Sequence, residues 1–299
     1  LILLDMSVNI VTDFSNVSHV TKQSKTSFYY SFSFLPKQER HALYAVYAFC
    51  REIDDIVDSL SYPLYDSIPK KRERLMVWRN DLANIYANSN TKKSLLPLAS
   101  VIKQFDLPKQ YFLTLIDGCE RDLLQQRYET FAELKEYCFS VASIVGLLCI
   151  EIFGYRHEDT KEYAINLGYA LQLTNILRDI KSDKDRGYIY LPQEDLERYN
   201  YTEEDLFAER YTPNFVELME FEARRAREYY SKARAALRPD ERSSMVTAEI
   251  MDRIYFRLLE KIELNNFHVF SKRMSVTTAH KFLIALKHWV SSKVLSRKY

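Results

Sequence analysis

Glycine and proline are scarce in this chain, 5 and 8 in 299 residues, which leaves little material for hairpins or Gly-rich phosphate-binding loops. Cysteine is also sparse. Cys50, Cys119, Cys138 and Cys149 lie in helix-like runs without CxxC spacing, so neither a zinc site nor a disulfide framework is indicated, and a reducing cytoplasm fits. An excess of charge is missing too. Forty-two basic against 41 acidic residues give a formal charge of +1, which argues against bulk electrostatic binding of nucleic acid. No uninterrupted apolar run reaches the ~18 residues of a membrane span, and no repeat is visible at a period of about 20 to 50 residues. The opening LILLDMSVNI has no basic flank, so no signal peptide is expected; because the chain starts with Leu1, residues before Met6 are expected to be non-native.

What is present points to helices. Hydrophobic residues make up 47% of the chain, ample for a sizeable core, and Leu, Ala, Glu, Lys, Arg and Tyr are plentiful. Helical periodicity recurs from about residue 37 and is broken at 61–69, 88–94, 105–110, 185–195 and 209–214, which predicts roughly eight to ten helices in one all-α domain. Pro36, Pro108 and Pro213 mark helix starts, because proline is accepted in a first turn and not in an interior. Residues 1–20 read as an N-terminal extension and 21–299 as the domain.

Two acidic stretches need a cause. In CREIDDIVDS, projected as a helix, Leu43, Val46, Cys50, Ile53 and Val57 form an apolar arc, with Tyr47, Arg51, Asp54 and Asp58 along its edge and Asp55 further towards solvent. In GYALQLTNILRDIKSD, Gln172, Asn175, Asp179 and Asp183 share one stripe, with Leu171, Ile176, Leu177 and Ile180 around the helix. Aspartate resists burial unless something pairs with it. A single acidic pair one turn apart is usually a solvated face or half of a salt-bridge ladder, but two such pairs, each beside an apolar arc and an arginine (Arg51, Arg178), point to all-oxygen ligation of Mg²⁺ together with a diphosphate.

At these motifs the sequence resembles the squalene/phytoene synthase family, the head-to-head trans-prenyltransferases. CREIDDIVD and LQLTNILRDIKSD correspond to its two aspartate-rich motifs, with YCFSVASIVG between them and DRGYIYLPQEDL trailing, and the likeness runs from about Ser24 to about His288. Through SFYYSFSFLP and VASIVGLLCIEIFGY it looks closest to the presqualene diphosphate synthases of bacterial hopanoid pathways; Ser143 stands where other branches carry the first glycine of VAGxVG.

The resemblance implies an isoprenoid-synthase-type helical bundle around a central cavity, joining two farnesyl diphosphates through Mg²⁺. It implies Asp54, Asp58, Asn175, Asp179 and Asp183 as metal ligands, Tyr137 beside the reacting carbons, and Lys25, Ser27, Tyr47, Arg51, Gln172, Arg178, Tyr255 and Arg273, again with Asn175, around the substrate. Phe28, Val141, Leu148 and Leu171 serve as cavity wall or as plain core.

Phytoene, dehydrosqualene and squalene synthases are alternatives of the same class. NADPH is not expected, although the lack of GxGxxG is weak evidence because a nicotinamide need not use that motif. A non-catalytic helical scaffold at a membrane surface is the alternative of another class. The basic amphipathic tail KFLIALKHWVSSKVLSRKY is compatible with peripheral contact with the inner membrane, but its composition favours an ordinary terminal helix with a solvated basic face.

Overall fold

The computed structural model describes residues 31–32, 35–58 and 67–295, with side chains to Ser292. The expected extension 1–20, and with it Lys25, Ser27 and Phe28, lies outside the described residues. Among the described residues all regular structure is helical: α1 (Lys37–Asp58), α2 (Ile68–Tyr86), α3 (Leu96–Phe105), α4 (Lys109–Arg121), α5 (Phe131–Cys138), α6 (Ile144–Phe153), α7 (Asp159–Asp185), α8 (Gln193–Arg198), α9 (Glu203–Phe207), α10 (Pro213–Ala236), α11 (Val246–Leu264) and α12 (Thr278–Leu295). A 3-10 turn, Lys93–Leu95, precedes α3, and a π-helical segment, Phe139–Ser143, joins α5 to α6.

The proline signals hold. Pro108 caps α4, and Pro213 opens α10 behind Thr212, whose hydroxyl accepts from the Phe215 amide at 3.3 Å. The two short helices α8 and α9 go beyond the expected number; α9 forms on a reciprocal capping box between Thr202 and Asp205. Breaks at 122–130 and 265–277 carry no glycine or proline and so left no mark in the sequence pattern.

α7 is the hub. Tyr163, Leu167, Ala170, Leu173, Ile176, Leu177 and Ile180 are buried at positions that go round the helix, as expected of one enclosed on most sides. α10 packs along it, and α5, the π segment, α6 and α11 pack on its other faces, while α1 reaches it through α4 and α6. The approach to the π segment is close. A Cβ on Gly168 would stand 2.4 Å from the Ser143 Cα, so only glycine fits there. Ser143 uses the same proximity, its hydroxyl donating to the Ile165 carbonyl at 2.8 Å. The serine that replaces a glycine in this stretch therefore bonds the neighbouring helix rather than spacing it away.

The run Phe131–Phe153 is long and apolar enough to cross a membrane, although the sequence shows no uninterrupted apolar stretch of that length. Its buried residues, among them Leu134, Ile144, Leu147 and Leu148, belong to the main hydrophobic core, which explains its apolarity without a bilayer.

Candidate active site

α1 and α7 carry the two acidic stripes, and the fold brings their C-terminal ends together. Arg186, just past α7, places Nη1 3.2 Å from Asp58 Oδ2 and Nη2 3.0 Å from Asp183 Oδ1, so one guanidinium spans both motifs. Asp54 lies deeper, with the Cys119 thiol of α4 3.6 Å from its Oδ1. Burial, helped by Asp58 and opposed by Arg51, raises Asp54 to about 7. Burial and then Asp179 raise Asp183 to about 6 against the pull of Arg186. Without a further cation, neither Asp54 nor Asp183 holds its charge comfortably.

Asp179 differs. Burial would raise it, but Arg178 and Arg273 overcome burial and hold it at about 2. Arg178 Nε lies 2.9 Å and Arg273 Nε 2.7 Å from its Oδ1. Tyr255 supports the Arg178 charge, which burial opposes. Asn175 donates to Gln172 Oε1 at 3.4 Å, while its own Oδ1 is buried without a partner. Asp55 is on the outer side, bonded to Arg51, so Arg51 leans away from the cleft in this state. Tyr47 is half-buried on α1.

Cys50 and Cys149 sit deep, where burial alone pushes the Cys149 thiol up to about 12, and yet both keep accessible surface. Both pack against the main hydrophobic core. Val141 and Leu171 are half-buried in the same interior, whereas Leu148 is fully buried and belongs to the packed core.

Four residues escaped sequence reasoning. Asp122 accepts a hydrogen bond from the Tyr137 hydroxyl at 2.8 Å. Tyr190 stacks on Tyr137 at 5.3 Å and Tyr188 on Tyr190 at 5.9 Å; Arg186 is the bridge described above. The DRGYIYLP segment contained three of the four, and the alternation of tyrosines there was the available signal.

Among the described residues, no three His, Cys, Asp or Glu side chains converge closely enough to hold a metal ion by themselves. The donor set is nevertheless all oxygen. With its orphaned Asn175 Oδ1 and carboxylates from two helices that meet at Arg186, it fits a hard cation that keeps waters and takes ligands from a phosphate.

Comparison with known proteins agrees with this geometry. The family model described as squalene/phytoene synthase matches residues 21–280. A 15-cis-phytoene synthase of Synechocystis is 36% identical over 288 residues, 92% of this chain and 84% of the relative. A phytoene synthase of Arthrospira platensis is 37% identical over 280 residues, 88% of each. Among solved structures, a dehydrosqualene synthase in complex with ligand superposes with a TM-score of 0.76 at 26% identity, covering 96% of this chain and 97% of that one. The squalene synthase HpnC of Alicyclobacillus acidocaldarius gives 0.73 at 26% identity, covering 85% and 95%.

Proposed function

The chain belongs to the squalene/phytoene synthase family, and we propose that it is a prenyltransferase joining two prenyl diphosphates head to head, with phytoene-type condensation of geranylgeranyl diphosphate as the preferred reading. The observation that carries the reaction class is the pair of acidic helix ends meeting at Arg186, 3.2 Å from Asp58 and 3.0 Å from Asp183. The 36% and 37% identity to phytoene synthases supports the longer substrate. The presqualene diphosphate reading from the sequence, with farnesyl diphosphate as substrate, is the second; the superposition on a dehydrosqualene synthase and on HpnC favours it.

In this reading Asp54, Asp58, Asn175, Asp179 and Asp183 hold Mg²⁺. Bound there, the metal supplies Lewis-acid stabilisation of the departing diphosphate oxygens. Arg178 and Arg273, paired with Asp179 in this state, are placed to take up diphosphate charge. The C1–O bond of one substrate breaks, and the double bond of the other attacks the allylic cation. Val141 and Leu171, half-buried against the main core, would help to keep water from the cation. Tyr137, 5% exposed, offers ring and hydroxyl beside it.

The decisive experiment incubates purified protein with farnesyl or geranylgeranyl diphosphate and Mg²⁺, with and without NADPH, and identifies products by mass. A C40 hydrocarbon from geranylgeranyl diphosphate supports the first reading, and a C30 diphosphate accumulating regardless of NADPH supports the second. Squalene formed only with NADPH would make the protein a squalene synthase. No joined product from either substrate would overturn the reaction class.

A membrane surface is the proposed partner of α12. Phe282 (48% exposed), Leu283 (60%) and Val290 (47%) share its outer side. No acidic residue follows Glu263 in this sequence, whereas Lys272 and Lys287 do, so the charge suits an anionic bilayer from which prenyl substrates are drawn. The four free thiols support a reducing, cytoplasmic setting.

A further inference from the structure

Near the α1 aspartates Asp54 and Asp58 stands a carboxylate that belongs to neither stripe. Asp122 follows directly on α4. Its Oδ2 accepts the Tyr137 hydroxyl hydrogen at 2.8 Å, and its Oδ1 is buried with no partner. The surroundings hold this pair in place. The Tyr190 and Tyr137 hydroxyl oxygens are 3.4 Å apart, and the Tyr188 hydroxyl donates to the Asp122 carbonyl at 3.1 Å. The rings of Tyr137 and Tyr190 are stacked at 18°, those of Tyr188 and Tyr190 at 7°, and Tyr128 closes the other side with its centroid 5.5 Å from that of Tyr137. The Tyr137 proton is thus aimed at one carboxylate oxygen by a rigid stack.

We propose that Asp122 is the terminal acceptor of the proton that carbon gives up during condensation, with Tyr137 as the relay between them. The inference rests on the head-to-head reaction proposed above. After the new bond has formed from C1 of the ionised substrate, closing the cyclopropane breaks a C–H bond at that carbon, and its electron pair becomes the ring bond. The proton passes to the Tyr137 oxygen as the original hydroxyl proton moves to Asp122 Oδ2. Tyr137 ends neutral, and Asp122 ends as a carboxylic acid.

The energetics favour this path over a tyrosinate base. Burial first, and Asp122 next, push the Tyr137 hydroxyl well above its ordinary range, so a standing phenolate is too costly. Asp122 is raised to about 7 by burial, with the Tyr137 hydrogen bond opposing the rise and Asp58 and Asp54 adding to it, so it can both take a proton and return it to water between turnovers.

The test uses the full chain, Mg²⁺ and substrate deuterated at C1. Asp122→Asn keeps size and shape and is expected to lower condensation by about 100-fold, the scale of general-base catalysis. It should also enlarge the isotope effect on product formation and raise the fraction of substrate released as prenyl alcohol, because ionisation continues while proton loss stalls. Tyr137→Phe should give the same signature, the double variant should be no worse than either, and Asp122→Glu should recover part of the rate. An isotope effect and alcohol fraction equal to the wild type in Asp122→Asn, whatever its rate, would overturn the relay and leave Asp122 a purely structural role. A wild-type protein that ionises substrate without joining two chains would overturn the reaction assignment itself, and the relay with it.

Discussion

Asp58 and Asp183, on helices far apart in sequence, share the guanidinium of Arg186 at 3.2 and 3.0 Å. The protein supplies its own cation to the point where two acidic helix ends meet. Removing it leaves two carboxylates without their shared partner.

Arg186→Gln is therefore expected to lower metal-free stability by about 1–3 kcal/mol, the scale of a partly buried charge left unpaired. Mg²⁺ with inorganic diphosphate should protect the variant against heat more than it protects the wild type, because it replaces the missing positive charge. Thermal unfolding with and without both additions measures this; equal protection would show that the metal does not occupy the space between the two motifs.

Asp54→Asn and Asp179→Asn should each abolish turnover at ordinary Mg²⁺ while far-UV circular dichroism stays unchanged, and Asp55→Asn should do much less. Asp54 lies inward against the Cys119 thiol and Asp179 between Arg178 and Arg273, while Asp55 is occupied by Arg51 on the outer side. Substantial residual activity in either of the first two variants would count against the ligand set.

These two stripes were legible because helical spacing put their carboxylates beside apolar arcs that a core must bury. Asp122 was not legible. It ends a charged helix in CERD, and its partner Tyr137 lies across a turn without glycine or proline, so no periodicity connects them. Arg186 was hidden for a similar reason, since a cation after a helix reads as an ordinary C-terminal charge until the fold carries α1 to it. Leu148 went the other way: its apolar character suited a cavity wall and a packed core equally, and packing decided.

Glu222 provides a pH test away from the cleft. It is 3% exposed and accepts from Arg225 Nη1 at 2.7 Å, and the same nitrogen lies 2.7 Å from the buried Asp195. Burial raises its pKa, Arg225 pulls it down, and Asp195 adds to the rise, with a net shift upward. A raised carboxyl contributes stability that is full below its unfolded pKa near 4.5 and is lost as pH climbs through the folded value. The melting temperature should fall from pH 5 to pH 9, and Glu222→Gln should flatten that slope. An unchanged slope would remove Glu222 from the account.

Gly168→Ala tests the close approach of α7 to the π segment. The added carbon would stand 2.4 Å from the Ser143 Cα, so the backbones must part, at a cost of about 1–3 kcal/mol or more. Ser143→Ala, which loses only the hydroxyl bond to Ile165, should cost nearer 1 kcal/mol. Chemical denaturation of both variants gives the comparison, and a neutral Gly168→Ala would refute the packing.

For α12, Phe282→Ser with Leu283→Ser should reduce co-sedimentation with anionic vesicles, and added salt should reduce it for the wild type as well. Substitution is preferred to truncation because His288, from the same helix, lies 3.2 Å from the buried Glu249. Vesicle binding unaffected by either change would end the membrane assignment.

The π segment Phe139–Ser143 also sets a clock along the chain. A π turn accommodates one residue more than a regular helix would, and one residue in a 3.6-residue turn is about 100° of rotation. Tyr137 on one side and the core residues Leu147 and Leu148 on the other are therefore out of phase by an amount that no uninterrupted helix could supply. Remove one residue from that turn, and either the phenol swings off Asp122 or the leucines leave the core. The extra residue is what lets a single continuous rod hold the Tyr137–Asp122 hydrogen bond at one end and pack leucines into the core at the other.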